Sequence, residues 1–149
     1  MRIAVDAMGG DAAPVEIVKG AVAAARFYTD HEIILVGDQG RIQSELSACG
    51  ATLDNISVVH ASQVVGMNES ATVAVRKKAD SSITKGVKLV AEKAADAVVS
   101  AGNTGATVAA SSLFLRTLEH VKRPGIAVSI PSFHGACMVI DAGANIQCK

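Results

Sequence analysis

The sequence "SAGNTG", residues 100–105, sets hydroxyl and amide side chains among glycines, between an apolar run and a stretch with helical character. Gly102 and Gly105 let the backbone turn at little steric cost, and Asn103 tolerates unusual dihedrals. The N–H groups that open the following helix lack intrahelical partners, so such a helix start attracts an anion. Ser100, Asn103 and Thr104 add side-chain donors, a combination suited to phosphate. A plainer reading has Thr104 capping the helix while the glycines only make a tight strand-to-helix connection. The loop has neither a Walker Lys-Ser/Thr nor a full GxGxxG pattern, so these residues alone leave both readings open.

Two further loops and one charge run belong with it. "DAMGGDAAP" places Asp6 and Asp11 around Gly9 and Gly10. Paired carboxylates serve as general acid and base, bind magnesium or orient neighbouring donors. Alternatively, Asp11 caps the next helix and Asp6 satisfies loop amides. "DAGAN", residues 141–145, offers Asn145. Arg76, Lys77 and Lys78 form the densest cationic cluster, with Arg123 as a second source of positive charge. They read either as countercharge for a phosphate dianion or as a solvated face. His31, His60, His120 and His134 show no metal-ligand spacing, and Cys49, Cys137 and Cys148 form no CxxC pair. The histidines are therefore read as surface or packing residues and the cysteines as small core residues, Cys148 exposed.

These loops need a scaffold, and the chain is built to supply one. Of its 149 residues, half are hydrophobic and 19% charged, which suits one compact domain or a piece of a larger one. Fourteen basic residues balance fourteen acidic ones, and three Phe with one Tyr are the only aromatics. Neither nucleic acid nor anionic lipid is drawn to the chain as a whole by net charge, and base-stacking platforms are lacking. Asp6 interrupts the N-terminus before a signal-length apolar run builds up, and no run approaches the roughly 18 apolar residues of a membrane span. The expectation is a non-secreted, soluble protein of a reducing cytoplasm.

Ile3 to Val5 reads as a buried strand. Beyond Pro14, Ile17, Val18, Ala21, Val22 and Ala25 recur with helical spacing. "EIILVGD" is a strand, Ile42, Leu46 and Cys49 mark a helical stripe, and "NISVVHA" is the next strand. Residues 67–78 are expected as a helix. Ser81 or Ser82 caps another, carrying Ile83, Val87, Val90 and Ala94. "DAVVS" is a strand of four to five residues, and a long helix runs from Gly105 to about Glu119. Pro124 and Gly125 precede two more strand candidates, "IAVSI" and "CMVID". Short strands alternating with helices imply parallel βαβ units, whose ligands gather beyond the carboxyl ends of the strands. The three loops all lie there.

"AVDAMGGDAAP", "LVGD", "VRKKADSS", "ADAVVSAGNTGATVAA", "RPGIAVSIPS" and "DAGAN" occur in this order along essentially all 149 residues. In them the chain resembles the PlsX-type phosphate acyltransferases of bacterial phospholipid synthesis. It departs from that pattern at Ala12, where a histidine is typical, and at Ala71, where a proline is usual. The resemblance implies a three-layer α/β/α fold with a largely parallel sheet, like isocitrate and isopropylmalate dehydrogenases and phosphotransacetylases. It also implies that residues 1–149 are the N-terminal part of a phosphate acyltransferase domain whose C-terminal half is absent.

The reaction so implied converts acyl-acyl carrier protein and inorganic phosphate into acyl phosphate and free carrier protein, feeding the membrane acyltransferase PlsY. A full-length homodimer in the cytoplasm, associating peripherally with the inner face of the membrane, is implied as well. Phosphate is largely dianionic near neutrality, by analogy with a second pKa of about 6. A free thiol leaves as thiolate with a pKa of about 8.5. Such an exchange needs a phosphate cradle and oxyanion donors rather than a triad, a metal or a cofactor. On this reading Asn103, Thr104, Arg76 and Asp6 are the catalytic candidates. Gly9, Gly10, Asp11, Lys77, Ser100, Gly102, Gly105 and Asn145 complete the phosphate site. Rival readings are a phosphotransacetylase-like enzyme using acyl-coenzyme A and a catalytically silent anion-binding module. A hydride-transferring dehydrogenase is disfavoured because the first loop lacks GxGxxG.

Overall fold

The computed structural model describes residues 1–121 and 124–140. Arg123, Asn145 and Cys148 lie outside the described residues. The chain divides into two compact units, Met1–Arg116 and Thr117–Lys149.

In the first unit, β1 (Arg2–Asp6), β2 (Glu32–Gly37), β3 (Ile56–His60) and β4 (Ala97–Val99) form a parallel sheet in the order β3-β2-β1-β4. Alternate side chains of each strand face opposite sides, and both sides are apolar. Ile33 and Leu35 of β2 join Val18, Ala21, Val22 and Ala25 of α1 (Val15–Phe27) and Ile42 of α2 (Gln39–Ala48). Ile34 and Val36 point the other way, into a cluster with Ala4, Ala61 and Ala95 that Leu89 and Val90 flank. On that side lie α3 (Ala71–Lys77), α4 (Ser82–Ala91) and α5 (Thr104–Phe114), where Val75, Ile83, Val87, Ala106 and Ala110 pack together. A strand buried on both faces reads as an unbroken apolar run, as "IILV" does.

The strand order explains the layers. From β1 to β2 to β3 the sheet grows in one direction, and the next strand returns to the far side of β1. With right-handed crossovers, reversing direction moves the connecting helices to the opposite face. Asp96 fixes that return. Its carboxyl accepts the Arg2 amide at 2.7 Å and the Arg2 guanidinium at 3.0 Å, tying the start of β4 to the start of β1.

Three expectations shift in detail. The helix expected over residues 67–78 begins at Ala71, so Ala71 is its first residue, the position where proline is favoured. The long helix ends at Phe114 instead of Glu119, since Arg116 takes a left-handed φ of 64° and leads the chain away. The strand "DAVVS" is shorter, Ala97–Val99. Ser81 does cap α4, its hydroxyl accepting from the Thr84 amide and donating to the Thr84 hydroxyl.

In the second unit, β5 (Ala127–Ser132) and β6 (Gly135–Ile140) pair antiparallel as a hairpin turning at Phe133 and His134. Its side chains are largely exposed.

Asp80, just before α4, ties α4 to the end of β3. Its carboxylate accepts from Lys85 Nζ at 2.7 Å and from the Ser62 hydroxyl and amide at 2.6 and 2.8 Å. The Lys85 ammonium, then the two Ser62 donors, hold this carboxyl well below its ordinary value of 3.8. A depressed folded-state pKa stabilises the fold above the unfolded value and is lost as pH falls through the folded one. Asp80→Asn is therefore expected to destabilise the protein at pH 7. Its deficit relative to wild type should shrink steadily below about pH 4, as read from urea midpoints across pH. A deficit independent of pH would contradict this assignment.

Candidate functional site

The sheet changes direction between β1 and β4, whose outgoing loops therefore leave to opposite faces and open a crevice beyond their carboxyl ends. Those loops are the two glycine-bearing segments, residues 7–14 and 100–103. Val5 and Val99, 94 residues apart in sequence, pair in parallel register and bring the two loops together.

One buried carboxyl group joins them. Asp6, the last residue of β1, is 0% exposed. Its Oδ1 accepts the Met8 amide at 3.2 Å and its Oδ2 accepts the Ser100 hydroxyl at 2.7 Å. Ser100 Oγ in turn accepts the Gly102 amide at 3.0 Å. The hydroxyl proton of Ser100 is thus engaged by Asp6, and the expectation that Ser100 donates to a ligand gives way to a bridging role. The backbones touch as well. A Cβ on Gly9 would lie 2.3 Å from Asp6 Oδ2 and 2.9 Å from the Gly102 nitrogen, and one on Gly102 would lie 3.0 Å from Gly9 Cα. Gly10 has φ of 104° and faces the Ala101 carbonyl. Only glycine satisfies these positions.

Asn103 fixes the start of α5. It is the N-cap, its Oδ1 accepting the Ala106 amide at 3.0 Å, so the capping expected of Thr104 falls one residue earlier. Its Nδ2 donates toward three carbonyls, those of Gly66, Met67 and Glu69, at 3.1–3.2 Å. The side chain, 9% exposed, has no proton free for a ligand. The oxyanion-donor role expected of this side chain therefore gives way to capping α5 and holding the carbonyls of residues 66–69. The amides of Thr104 and Gly105 have no partner among the described residues, and both residues are exposed. Gly105 abuts Ala71, whose Cβ would lie 3.1 Å from an added Cβ, so α3 and α5 begin side by side.

Around this start, Asp11 is exposed and does not cap α1, which begins after Pro14. Arg76 and Lys77 occupy the last turn of α3, exposed and without an ion pair among the described residues. They lie roughly 8 Å along the helix axis from Ala71, at 1.5 Å per residue. Lys78 is engaged elsewhere, donating to the Val64 carbonyl at 2.7 Å and to the Glu69 carboxylate. The Lys78 ammonium and then the Gly66 amide hold that carboxylate below its ordinary value. In the sequence, only the Gly-x-x-Glu spacing of Gly66 and Glu69 signals the turn they close. The site's described part thus gathers Asp6, Gly9, Gly10, Ser100, Gly102, Asn103, Thr104 and Gly105. Asp11, Arg76 and Lys77 stand at its margins.

Residues 1–149 match the family model described as fatty acid synthesis protein. The chain is 48% identical to a phosphate acyltransferase of Halothermothrix orenii and 51% identical to one of Geotalea daltonii, over the whole chain in each case. It covers 45% and 43% of those two proteins, so it spans less than half the length of these curated relatives. Among solved structures, a phosphotransacetylase from Streptococcus pyogenes superposes with a TM-score of 0.64 at 19% identity. That superposition covers 93% of this chain and 45% of the other. The EutD phosphotransacetylase from Staphylococcus aureus gives 0.58, also at 19% identity, over 93% of this chain and 44% of that one. These two likenesses establish the fold.

The packed glycines make a prediction of opposite signs. Gly9→Ala is expected to cost about 1–3 kcal/mol, because its methyl collides with Asp6 and the facing loop. Gly20→Ala, in α1 with nothing within 4 Å of the new methyl, is expected to stabilise by about 0.5–1 kcal/mol through helix propensity. Denaturant unfolding of both variants checks the pair.

Proposed function

The chain belongs to the fatty acid synthesis protein family, and from that premise we propose that it carries the phosphate-binding wall of a phosphate acyltransferase. The single observation that carries this reading is the pair of amides at the exposed residues Thr104 and Gly105, which have no partner among the described residues, at the mouth of the crevice where the loops after β1 and β4 diverge. A helix start of this kind favours an oxyanion through oriented N–H groups and the helix dipole. The Thr104 hydroxyl adds one adaptable donor.

Phosphate held here is positioned to attack a thioester carbonyl. One phosphate oxygen forms the new O–C bond, the carbonyl oxygen takes up negative charge, and collapse breaks the C–S bond. The acyl group leaves on phosphate, and the departing thiolate takes a proton from phosphate or solvent. Positioning and charge stabilisation supply the acceleration. Arg76 and Lys77 are proposed as countercharge, Asp6 as the group that positions both loops. Gly9, Gly10 and Asp11 form the facing wall. Acyl-acyl carrier protein is the proposed acyl donor, and the acyl phosphate passes to the membrane acyltransferase PlsY. The proposal extends to a homodimer of the whole protein in the cytoplasm, peripheral at the membrane's inner face. No helix among the described residues is long and apolar enough to cross a membrane.

The phosphotransacetylase-like fold favours one alternative, in which coenzyme A thioesters are the donors. Phosphate-dependent thiol release by the whole protein separates them. Faster release from acyl-carrier protein than from acyl-coenzyme A is expected, and the reverse preference would establish the alternative. In the same assay, Arg76→Ala with Lys77→Ala is expected to raise the KM for phosphate by about tenfold or more, from loss of a charge-assisted contact. The KM for the acyl donor should stay close to wild type. An unchanged phosphate KM would remove both cations from the site.

A further inference from the structure

Segment 64–70 leads into α3, and its backbone carbonyls converge on one side chain. An amide nitrogen carries two protons, yet Asn103 Nδ2 lies within 3.1–3.2 Å of the carbonyls of Gly66, Met67 and Glu69. Three carbonyl dipoles pointing at one spot repel one another, so the segment needs an external restraint to hold them there. Two side chains provide it. Glu69 Oε1 accepts the Gly66 amide at 2.9 Å, closing the turn from within. Lys78 Nζ bridges from that same oxygen to the Val64 carbonyl at 2.7 Å, stapling both ends of the segment to the end of α3.

We propose that Glu69 and Lys78 are positioning residues of the phosphate site. They hold the carbonyl triad that locks Asn103, and Asn103 in turn aims the amides of Thr104 and Gly105, which have no partner among the described residues. The inference rests on the reading that phosphate binds at those amides. Neither residue touches the ligand. Their effect is transmitted through Asn103, which joins the segment to α5 by Nδ2 on one side and Oδ1 on the other. This also accounts for the division of labour in the basic run, where Lys78 is paired while Arg76 and Lys77 are exposed.

Titration of the protein with inorganic phosphate, followed by ¹H–¹⁵N spectra, tests it. In wild type the Thr104 and Gly105 amides are expected to shift on phosphate addition. Glu69→Ala should weaken binding about 10-fold or more, in line with the loss of groups that orient a ligand-binding shell. The Asn103 side-chain amide signals should move and exchange faster, while α1 and β2 amides stay in place. Glu69→Gln retains an oxygen that accepts from both Gly66 and Lys78, so it is expected to stay within about threefold of wild type. Lys78→Met leaves the Glu69–Gly66 contact intact and supplies the comparison if Glu69→Ala does not fold. It is expected to weaken binding in the same direction.

Wild-type affinity together with unmoved Asn103 signals in the Glu69→Ala or Lys78→Met protein would overturn the positioning role while leaving the phosphate site standing. Phosphate that shifts neither Thr104 nor Gly105 in wild type would overturn the site itself, and the positioning role with it.

Discussion

The contact between Asp6 and Ser100 is the constraint from which the site follows. Each residue ends or follows a strand, and the two strands are neighbours only because the sheet reverses direction beside β1. A buried carboxyl group is tolerated when its oxygens have donors, and Asp6 finds one in each loop. Removing it would strand the buried Met8 amide, at about 1–3 kcal/mol, and release the half-buried Ser100 hydroxyl. The glycines around it follow from the same contact, since two backbones meet where a side chain would otherwise stand.

Much of this was legible in the sequence. The "IILV" run, the helical stripe through Val18, Val22 and Ala25, and the Gly-bearing turns after β1 and β4 identify a parallel α/β scaffold and its ligand-facing edge. What the sequence could not reveal is the use to which each polar group is put. Asn103 and Ser100 look like ligand donors because both carry protons. Tertiary contacts with residues 34 to 94 positions away take up those protons. Residues 67–70 look helical by composition, yet the carbonyls of Met67 and Glu69 are drawn to Asn103 and the helix waits until Ala71. The end of α5 depends on the left-handed turn at Arg116, where no glycine announces it.

The proposed phosphate site draws on two sets of groups with distinct chemistry. The inner one is backbone, the amides of Thr104 and Gly105, and backbone donors need no side-chain ordering on binding. The outer one consists of side chains that hold the backbone: Asp6 and Ser100 on one flank, Asn103 with Glu69 and Lys78 on the other. Membership of the fatty acid synthesis protein family and likeness to phosphate acyltransferases over the whole chain fit such an arrangement. On the proposed reading, a dianionic nucleophile asks for fixed donors more than for a base.

One carboxyl group couples both loops, and native-state hydrogen exchange at Gly102 in Asp6→Ala puts that coupling to the test. Gly102 bonds to Ser100 and not to Asp6, so a purely local effect would be confined to Met8. The coupled account predicts that the amides of Met8 and Gly102 lose protection together, while Leu35 in the neighbouring strand keeps its own. Retained protection at Gly102 in a folded Asp6→Ala protein would contradict it.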